Sequence, residues 1–202
     1  MMTMEDFGAG VSKAWNDLRS TTRSLLERAW QSPGAGAAVQ TSRATHYDPR
    51  ADRELIRLLA ALDERTREAA GDESAAKARR LAETCAGVLM EQTQSAEVFA
   101  QLIQRAHSQN DYARIDAIAN ALSKRLGVSE ICELSRSNVT VVRALGQEAL
   151  MQMPARALVT LLRDPVDAGV ARDALQRQVI EYNSKEAHKA LQEFEEFGFE
   201  EF

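Results

Sequence analysis

The sequence has little of what disulfide-bonded, β-rich or membrane-spanning proteins depend on. Its 202 residues include two cysteines, four prolines and 5% aromatic residues. No apolar run reaches the roughly 18 residues that signal a membrane helix, and the first residues lack the pattern of a signal peptide. We therefore expect no membrane span and a cytoplasmic protein, in which Cys85 and Cys132 are small buried residues of a reducing compartment.

Signals for β-strands are also scarce. The one β-branched cluster, residues 139–142, lies in an apolar pattern whose helical spacing continues to Leu150. Because 45% of the residues are apolar and strand patterns are missing, we predict an all-α fold. Pro49, Gly127 and Pro154 mark helix boundaries, and we expect roughly eight helices between residues 49 and 183.

The chain shows no constellation of residues that carries a known chemistry. His46, His107 and His188 are spread along the sequence and form no metal-ligand motif. No glycine-rich phosphate loop is present, and no Ser or Cys stands in the sequence context of a nucleophile. We predict no catalytic residue, no bound metal and no cofactor.

The charge balance argues against direct binding of nucleic acid. The net charge is −5, and residues 193–202 alone hold five glutamates. Binding to phosphates needs a dense basic face, whereas acidic and basic residues alternate along the predicted helices. The sequence therefore favours a protein partner.

Three arginines, Arg114, Arg143 and Arg172, stand 29 residues apart. Apolar residues recur around them at fixed offsets. Eleven residues before and eight residues after each arginine stand Ile103 and Leu122, Cys132 and Met151, and Leu161 and Ile180. A repeat of this length is typical of solenoids built from helical hairpins, because a single hairpin cannot bury its apolar face alone.

Part of this repeat resembles a known family. The stretches Leu-Arg-Asp-Pro at 162–165 and Val-Ala-Arg-Asp-Ala-Leu at 170–175 are similar to the HEAT-type repeat, and residues 141–146 are a second copy. That pattern sets Asp-Pro in the turn between two helices and Val-Arg within the second helix. The resemblance extends over about residues 100–183 and implies an all-α, HEAT-like stack of antiparallel helical hairpins.

The resemblance also implies structural roles for the repeated residues. In HEAT-type proteins the repeated arginine pairs with turn carboxylates or carbonyls, which is the expectation for Arg114, Arg143 and Arg172. Asp164 is placed to cap the next helix by accepting a backbone N–H, and Pro165 suits a first helical position.

Residues 1–47 differ from the rest of the chain in residue pattern and composition. Apolar positions at steps of three and four predict one amphipathic helix over residues 11–30, followed by a Gly- and Ala-rich segment typical of a flexible tether. The apolar face either binds a partner protein or caps an open end of the repeat stack. The candidate partner-binding residues of this face are Trp15, Leu18, Leu25 and Trp30.

The last five residues form an acidic and aromatic tail. Residues 198–202 include Phe199 and Phe202 beside two glutamates. An acidic tail that ends in phenylalanine resembles the C-terminal docking peptide of bacterial single-stranded-DNA-binding proteins. The resemblance implies that Phe199 and Phe202 bind a partner, and the alternative is a frayed helix end.

These observations divide the chain into three regions and favour one function. We expect an N-terminal helix and linker over residues 1–47, a helical-repeat domain over 48–197 and the tail over 198–202. The predicted function is that of a non-catalytic scaffold or adaptor that holds another protein. Two alternatives stay open: an enzyme or DNA-repair protein that uses the concave face of the stack, and a self-associating structural protein.

Overall fold

The computed structural model describes residues 7–31, 47–68 and 73–197. Over these ranges the chain forms eleven α-helices and no β-strand, which confirms the all-α prediction. The helices are α1 Ala9–Asn16, α2 Ser20–Gln31, α3 Pro49–Glu68, α4 Glu73–Gln92, α5 Ala96–Ser108, α6 Tyr112–Arg125, α7 Val128–Ser135, α8 Thr140–Met151, α9 Ala155–Val159, α10 Ala168–Tyr182 and α11 Lys185–Phe197.

The number of helices and their length and polarity bear on two further predictions. Eight of them, α3 to α10, lie between residues 49 and 183 in the described part of the chain, as expected. Each helix in the described ranges is too short or too polar to cross a lipid bilayer.

The chain divides into two compact units. The N-terminal unit lies within residues 1–93, and the C-terminal unit lies within residues 94–202. The boundary at 93 and 94 falls between α4 and α5. The domain limits predicted at 47 and 197 concern the linker and the tail, which lie largely outside the described residues, and they stay predictions.

The predicted helix boundaries follow local chemistry. Pro49 is the first residue of α3, and the Oδ1 atom of Asp48 accepts the backbone N–H of Arg50 at 2.9 Å. This hydrogen bond and the guanidinium of Arg19 hold the pKa of Asp48 below its usual range. Gly127 precedes α7, and Pro154 precedes α9. These boundaries are confirmed, because capping and proline geometry act within a few residues.

The prediction of one helix over residues 11–30 is wrong. The helix is interrupted at residues 17–19, between α1 and α2. At this break the backbone N–H of Arg19 donates to Oε2 of Glu54 at 3.3 Å, and the Arg19 guanidinium binds the same carboxylate. The side chain of Leu18 is buried there. Glu54 lies on α3, 35 residues away, so the amphipathic spacing could not reveal the interruption.

The core of the N-terminal unit is formed by leucine and alanine side chains. Helix α1 packs on α3, α2 packs on α3 and α4, and α3 packs along α4. The core side chains include Leu26, Leu55, Leu58, Leu62, Leu81 and Leu89, all at most 1% exposed. Burial of such side chains contributes roughly 1.5–3 kcal/mol each.

A carboxyl group, that of Asp52, is buried in the N-terminal unit. Its Oδ2 atom accepts hydrogen bonds from the hydroxyls of Tyr47 at 2.8 Å and Thr93 at 2.7 Å. Loss of hydration on burial raises the pKa of Asp52, and these two hydrogen bonds only partly oppose that effect. The structure therefore favours the protonated carboxyl group relative to the unfolded chain.

We expect Asp52→Asn to stabilise the N-terminal unit increasingly as the pH rises. The wild-type carboxyl group has a raised folded pKa, so its contribution is fully present below the unfolded pKa near 3.8 and is lost as the pH rises through the folded pKa. An asparagine has no charge to bury and still accepts both hydroxyls. Urea unfolding at a series of pH values measures the difference between the two proteins.

Glu54→Gln is the control, because it should have the opposite pH dependence. Burial acts to raise the pKa of Glu54, but hydrogen bonds from Thr22 and Arg19 outweigh it and lower the pKa. Its contribution is therefore present above the unfolded pKa and is lost as the pH falls through the folded pKa. Equal pH profiles for the two variants would contradict the assignment of Asp52.

The C-terminal unit has its own core and one boundary that differs from expectation. Its largest buried side chains include Phe99, Ile103, Ile118, Leu122 and Ile131. The sequence around residue 183 predicts a capping box formed by Asn183 and Glu186, and this prediction is wrong. Asn183 ends α10 in the left-handed conformation, at φ 51°, and the Oγ atom of Ser184 accepts the Ala187 N–H at 3.2 Å.

Candidate protein-docking groove

The turn before α10 positions the groove. The Oδ1 atom of Asp164 accepts the backbone N–H groups of Val166 at 2.8 Å and Asp167 at 2.9 Å. These two hydrogen bonds lower the pKa of Asp164 and keep its carboxylate charged. Asp164 therefore orders the turn. The prediction that Asp164 caps the helix directly, with Pro165 at the first helical position, is wrong, because α10 begins at Ala168, three residues after Pro165.

Asp167 attaches the start of α10 to α7. Only 3% of Asp167 is exposed, and its carboxylate accepts a hydrogen bond from the Ser129 hydroxyl at 2.7 Å. The other carboxylate oxygen binds the guanidinium of Arg136, at the end of α7. A buried carboxylate with a cation and a hydroxyl has its charge compensated. This connection spans 31 residues of sequence and was not anticipated from it.

The thiol of Cys132 lies beside this ion pair. Burial and the negative charge of Asp167 raise the pKa of Cys132 to about 11. The side chain is therefore a neutral thiol at neutral pH, whereas nucleophilic cysteines are thiolates. Cys132 and Cys85 are both buried, as expected, and they form no disulfide bond.

A second buried polar side chain, Gln178, connects α10 to the end of α8. Its Nε2 atom donates to the carbonyl oxygens of Met153 at 2.8 Å, Met151 at 3.2 Å and Leu150 at 3.4 Å. The last carbonyls of a helix have no partner within it, so the amide satisfies them. This contact fixes the distance between α8 and α10.

Between these helices the C-terminal unit has a shallow groove of about 310 Å³. We call it the α10 groove. One wall consists of Ser135, Gln147 and Leu150, from α7 and α8, and the other of Val170, Asp173, Ala174, Gln176, Arg177 and Ile180, from α10. The groove therefore combines an apolar surface with one acidic and one basic side chain.

Ile180 is the most exposed large apolar side chain of this wall. It is 80% exposed, and Tyr182, at the end of the same helix, is 58% exposed. In the repeat, Ile180 corresponds to Leu122 and Met151, which are 0% and 5% exposed. A position that is core in two units is thus exposed to solvent in the third.

The structure separates the predicted residues of the N-terminal helix. Trp15 and Leu18 are buried in the core of the N-terminal unit, at 8% and 4% exposure. Leu25 and Trp30 are half-buried, and the guanidinium of Arg80 lies over the Trp30 ring at 5.7 Å from its centroid. A partner can reach Leu25 and Trp30 directly, whereas the buried side chains of Trp15 and Leu18 are not accessible. Partner binding by these four residues stays a prediction.

The three repeated arginines all lie near the start of a helix, as the third residue of α6, the fourth of α8 and the fifth of α10, but they make different contacts. Arg143 donates to the carbonyl oxygen of Ser137 at 2.8 Å, in the turn before its own helix. Arg172 lies over the ring of Phe194 on α11, at 5.4 Å from the centroid. Arg114 is half-buried near the start of α6, where Asp111 accepts its backbone N–H at 2.9 Å.

The remaining predicted site lies outside the described residues. It consists of Phe199 and Phe202. Of the three histidines, His46 also lies outside the described residues, whereas His107 lies on α5 and His188 on α11. In residues 7–31, 47–68 and 73–197, no group of three or more His, Cys, Asp or Glu side chains is placed to hold a metal ion.

A second cleft, of about 240 Å³, lies in the N-terminal unit near the break between α1 and α2. Its lining includes Lys13, Asp17, Leu18, Glu54 and Arg57. Glu54 is already occupied by Thr22, at 2.6 Å, and by Arg19. The Glu54 carboxylate in this cleft therefore stabilises the packing of α2 on α3.

Comparisons of this chain with protein-family models, with curated proteins and with solved structures find no match. The α10 groove and the contacts that form it are therefore the features from which a function can be proposed.

Proposed function

We propose that this protein is a non-catalytic interaction scaffold, an adaptor in the cytoplasm, built on HEAT-like helical hairpins. The packing of successive helices in the C-terminal unit supports the proposal. Helix α5 packs on α6, α7 on α8 and α10 on α11, and further contacts join α6 to α8 and α8 to α10. Such a succession of pairs is the arrangement that helical solenoids use to present a binding surface.

The observation that carries the proposal is the exposure of Ile180 beside the α10 groove. An isoleucine moved from water to an apolar contact contributes roughly 1.5–3 kcal/mol. Val170, which is partly exposed in the same wall, offers the apolar surface that such a contact extends. The groove therefore favours a partner that covers Ile180.

The charges of the groove define the chemistry of that partner. Asp173 and Arg177 stand one helical turn apart on α10 and lie within the groove wall. A complementary partner is an amphipathic helix with an apolar residue for the groove, a basic residue facing Asp173 and an acidic residue facing Arg177. We propose a helix of this kind as the occupant.

The positions of the carboxyl and thiol groups with shifted pKa values support a non-catalytic role for the α10 groove. Asp48 and Asp164 order helix starts, and Glu54 binds α2 to α3. Asp52 and Cys132 are buried within their units. Perturbed groups are expected at catalytic sites, and none of these five lines the α10 groove.

A capture experiment with matched variants tests the proposed function. Full-length wild type, Ile180→Asp and Tyr112→Ser are immobilised in cell lysate, and bound proteins are identified by mass spectrometry. Tyr112 is the control, because it is a large side chain that is 64% exposed but lies on α6, outside the groove. We expect a partner that is retained by wild type and Tyr112→Ser and is lost with Ile180→Asp.

The captured partner must then bind through a helix of the stated pattern. Calorimetry with a synthetic peptide of that helix should give a Kd that Ile180→Asp raises by at least about tenfold, which corresponds to about 1.4 kcal/mol. The same proteins bound by all three forms would contradict the groove as the binding surface, and so would an empty list from all three together with a chain that stays monomeric in solution. Truncation of residues 198–202 tests Phe199 and Phe202 separately in the same experiment.

A further inference from the structure

Four side chains of α10 form a single stripe along the α10 groove. Val170, Asp173, Arg177 and Ile180 follow one another at spacings of three, four and three residues, and all of them line the groove. At 1.5 Å per residue the stripe is about 15 Å long. Apolar residues stand at its two ends, and opposite charges stand near its centre.

This stripe is complementary to itself when it is reversed. The midpoint between Val170 and Ile180 is residue 175, and residue 175 is also the midpoint between Asp173 and Arg177. In an antiparallel pair of such helices centred at residue 175, Asp173 of each copy lies level with Arg177 of the other. Val170 of each copy likewise lies level with Ile180 of the other.

We propose that the occupant of the α10 groove is α10 of a second copy, so that two chains form a two-fold symmetric dimer. The inference rests on the proposed function, because it names the helix that fills the groove. The partner described above needs an apolar residue, a base facing Asp173 and an acid facing Arg177. Helix α10 has each of these at the required level, and a two-fold axis then forms every contact twice.

The side chains of the stripe are accessible to a second copy of the chain. Asp173 is exposed, and Ile180 is largely exposed. The Nε atom of Arg177 donates to Glu181 at 3.0 Å on the same helix, with the Arg177 side chain 42% exposed. A guanidinium has five N–H donors, so Arg177 can bind Glu181 and Asp173 of the second copy together.

The dimer would present two copies of every other surface of the chain. Two linked binding sites bind a repeated or clustered partner more tightly than either site alone, without any new contact. A stripe of three helical turns is a small interface, so we expect a Kd on the order of micromolar.

Sedimentation of the full-length chain tests the inference. Between about 1 and 200 µM, a range that brackets a micromolar Kd, the mass should rise from 22.3 kDa toward twice that value. Asp173→Arg places two arginines opposite each other at both ends of the charged centre, and Arg177→Asp does the same with two aspartates. Each single variant should weaken the dimer at least about tenfold.

The decisive sample is an equimolar mixture of the two single variants. In the mixed dimer every Arg again faces an Asp, so the mixture should regain the dimer that neither variant forms alone. Asp116→Arg changes an exposed acid on α6, outside the groove, and should sediment like wild type. Circular dichroism of each variant confirms that it is folded.

Three results would overturn the inference. Wild type could stay monomeric over the whole range, the dimer could be insensitive to both single variants, or the mixture could stay as monomeric as its components. If wild type is monomeric while Ile180→Asp still loses a different protein from lysate, the groove binds another partner. The proposed function then stands and the dimer does not.

Discussion

Gly146→Ala is expected to destabilise the C-terminal unit by about 2–3 kcal/mol, as overpacking of a close contact does. Gly146 lies on α8 where that helix crosses α7. A Cβ atom there would lie 2.6 Å from the backbone nitrogen of Ser135 and 2.8 Å from the carbonyl carbon of Leu134. Both neighbours are backbone atoms, which cannot rotate away, so the two helices must separate.

The sign of this effect distinguishes it from helix propensity. Alanine in a helix interior is more favourable than glycine by roughly 0.5–1 kcal/mol, so the clash must exceed that gain. The control is Gly169→Ala on α10, in the same unit, where a Cβ atom meets nothing within 4 Å. Urea unfolding should show a loss for Gly146→Ala and no loss for Gly169→Ala. A stabilised Gly146→Ala would show that α7 and α8 are not so close.

Arg136→Met is expected to destabilise the C-terminal unit by about 2–3 kcal/mol, because a buried carboxylate loses its cation. Methionine keeps much of the side-chain volume but leaves Asp167 with only the Ser129 hydroxyl. The expected loss lies below that of a fully buried pair, since the Arg136 side chain is 36% exposed and is partly screened by water. Denaturant unfolding measures the difference.

A double variant separates the lost charge pair from lost packing. Arg136→Met with Asp167→Asn has no charge to leave unpaired, and the amide oxygen still accepts the Ser129 hydroxyl. We expect the free energy of unfolding of this double variant to lie well above that of Arg136→Met, and a double-mutant cycle measures the difference as a coupling energy. Lys189→Met is the control, because its pair with Glu193 is exposed and should contribute nothing measurable. A double variant no more stable than Arg136→Met would point to packing.

The two predictions concern contacts that hold the walls of the α10 groove together. Gly146 sets how closely α8 approaches α7, and the Arg136 and Asp167 pair holds the start of α10 to the end of α7. None of these three residues lines the groove itself. Stability losses in these variants should therefore accompany a weaker dimer, whereas the charge variants at Asp173 and Arg177 should change association with little change in unfolding.

The sequence repeat predicted an apolar residue at position 180 of the groove, but it predicted neither the exposure of that residue nor the different contacts of the arginines. The fixed offsets placed Ile180 beside Leu122 and Met151 as an apolar position, and all three lie on helices. The exposure of Ile180 depends on which helices pack against α10, and residue spacing in the sequence does not give that information. The arginines, the most regular feature of the sequence, differ in their contacts, since Arg143 binds a turn carbonyl and Arg172 a phenylalanine ring.

The sequence by itself determined the all-α class and the helix boundaries at Pro49, Gly127 and Pro154, because proline, glycine and capping side chains act on backbone within one turn. Tertiary structure alone decided the break at Arg19, which depends on Glu54 in a different helix. It also decided the pairing of Arg136 with Asp167 and the contact of Gln178 with the end of α8. These partners are 25 to 35 residues apart, and their distance depends on how helices cross, which local propensity does not encode.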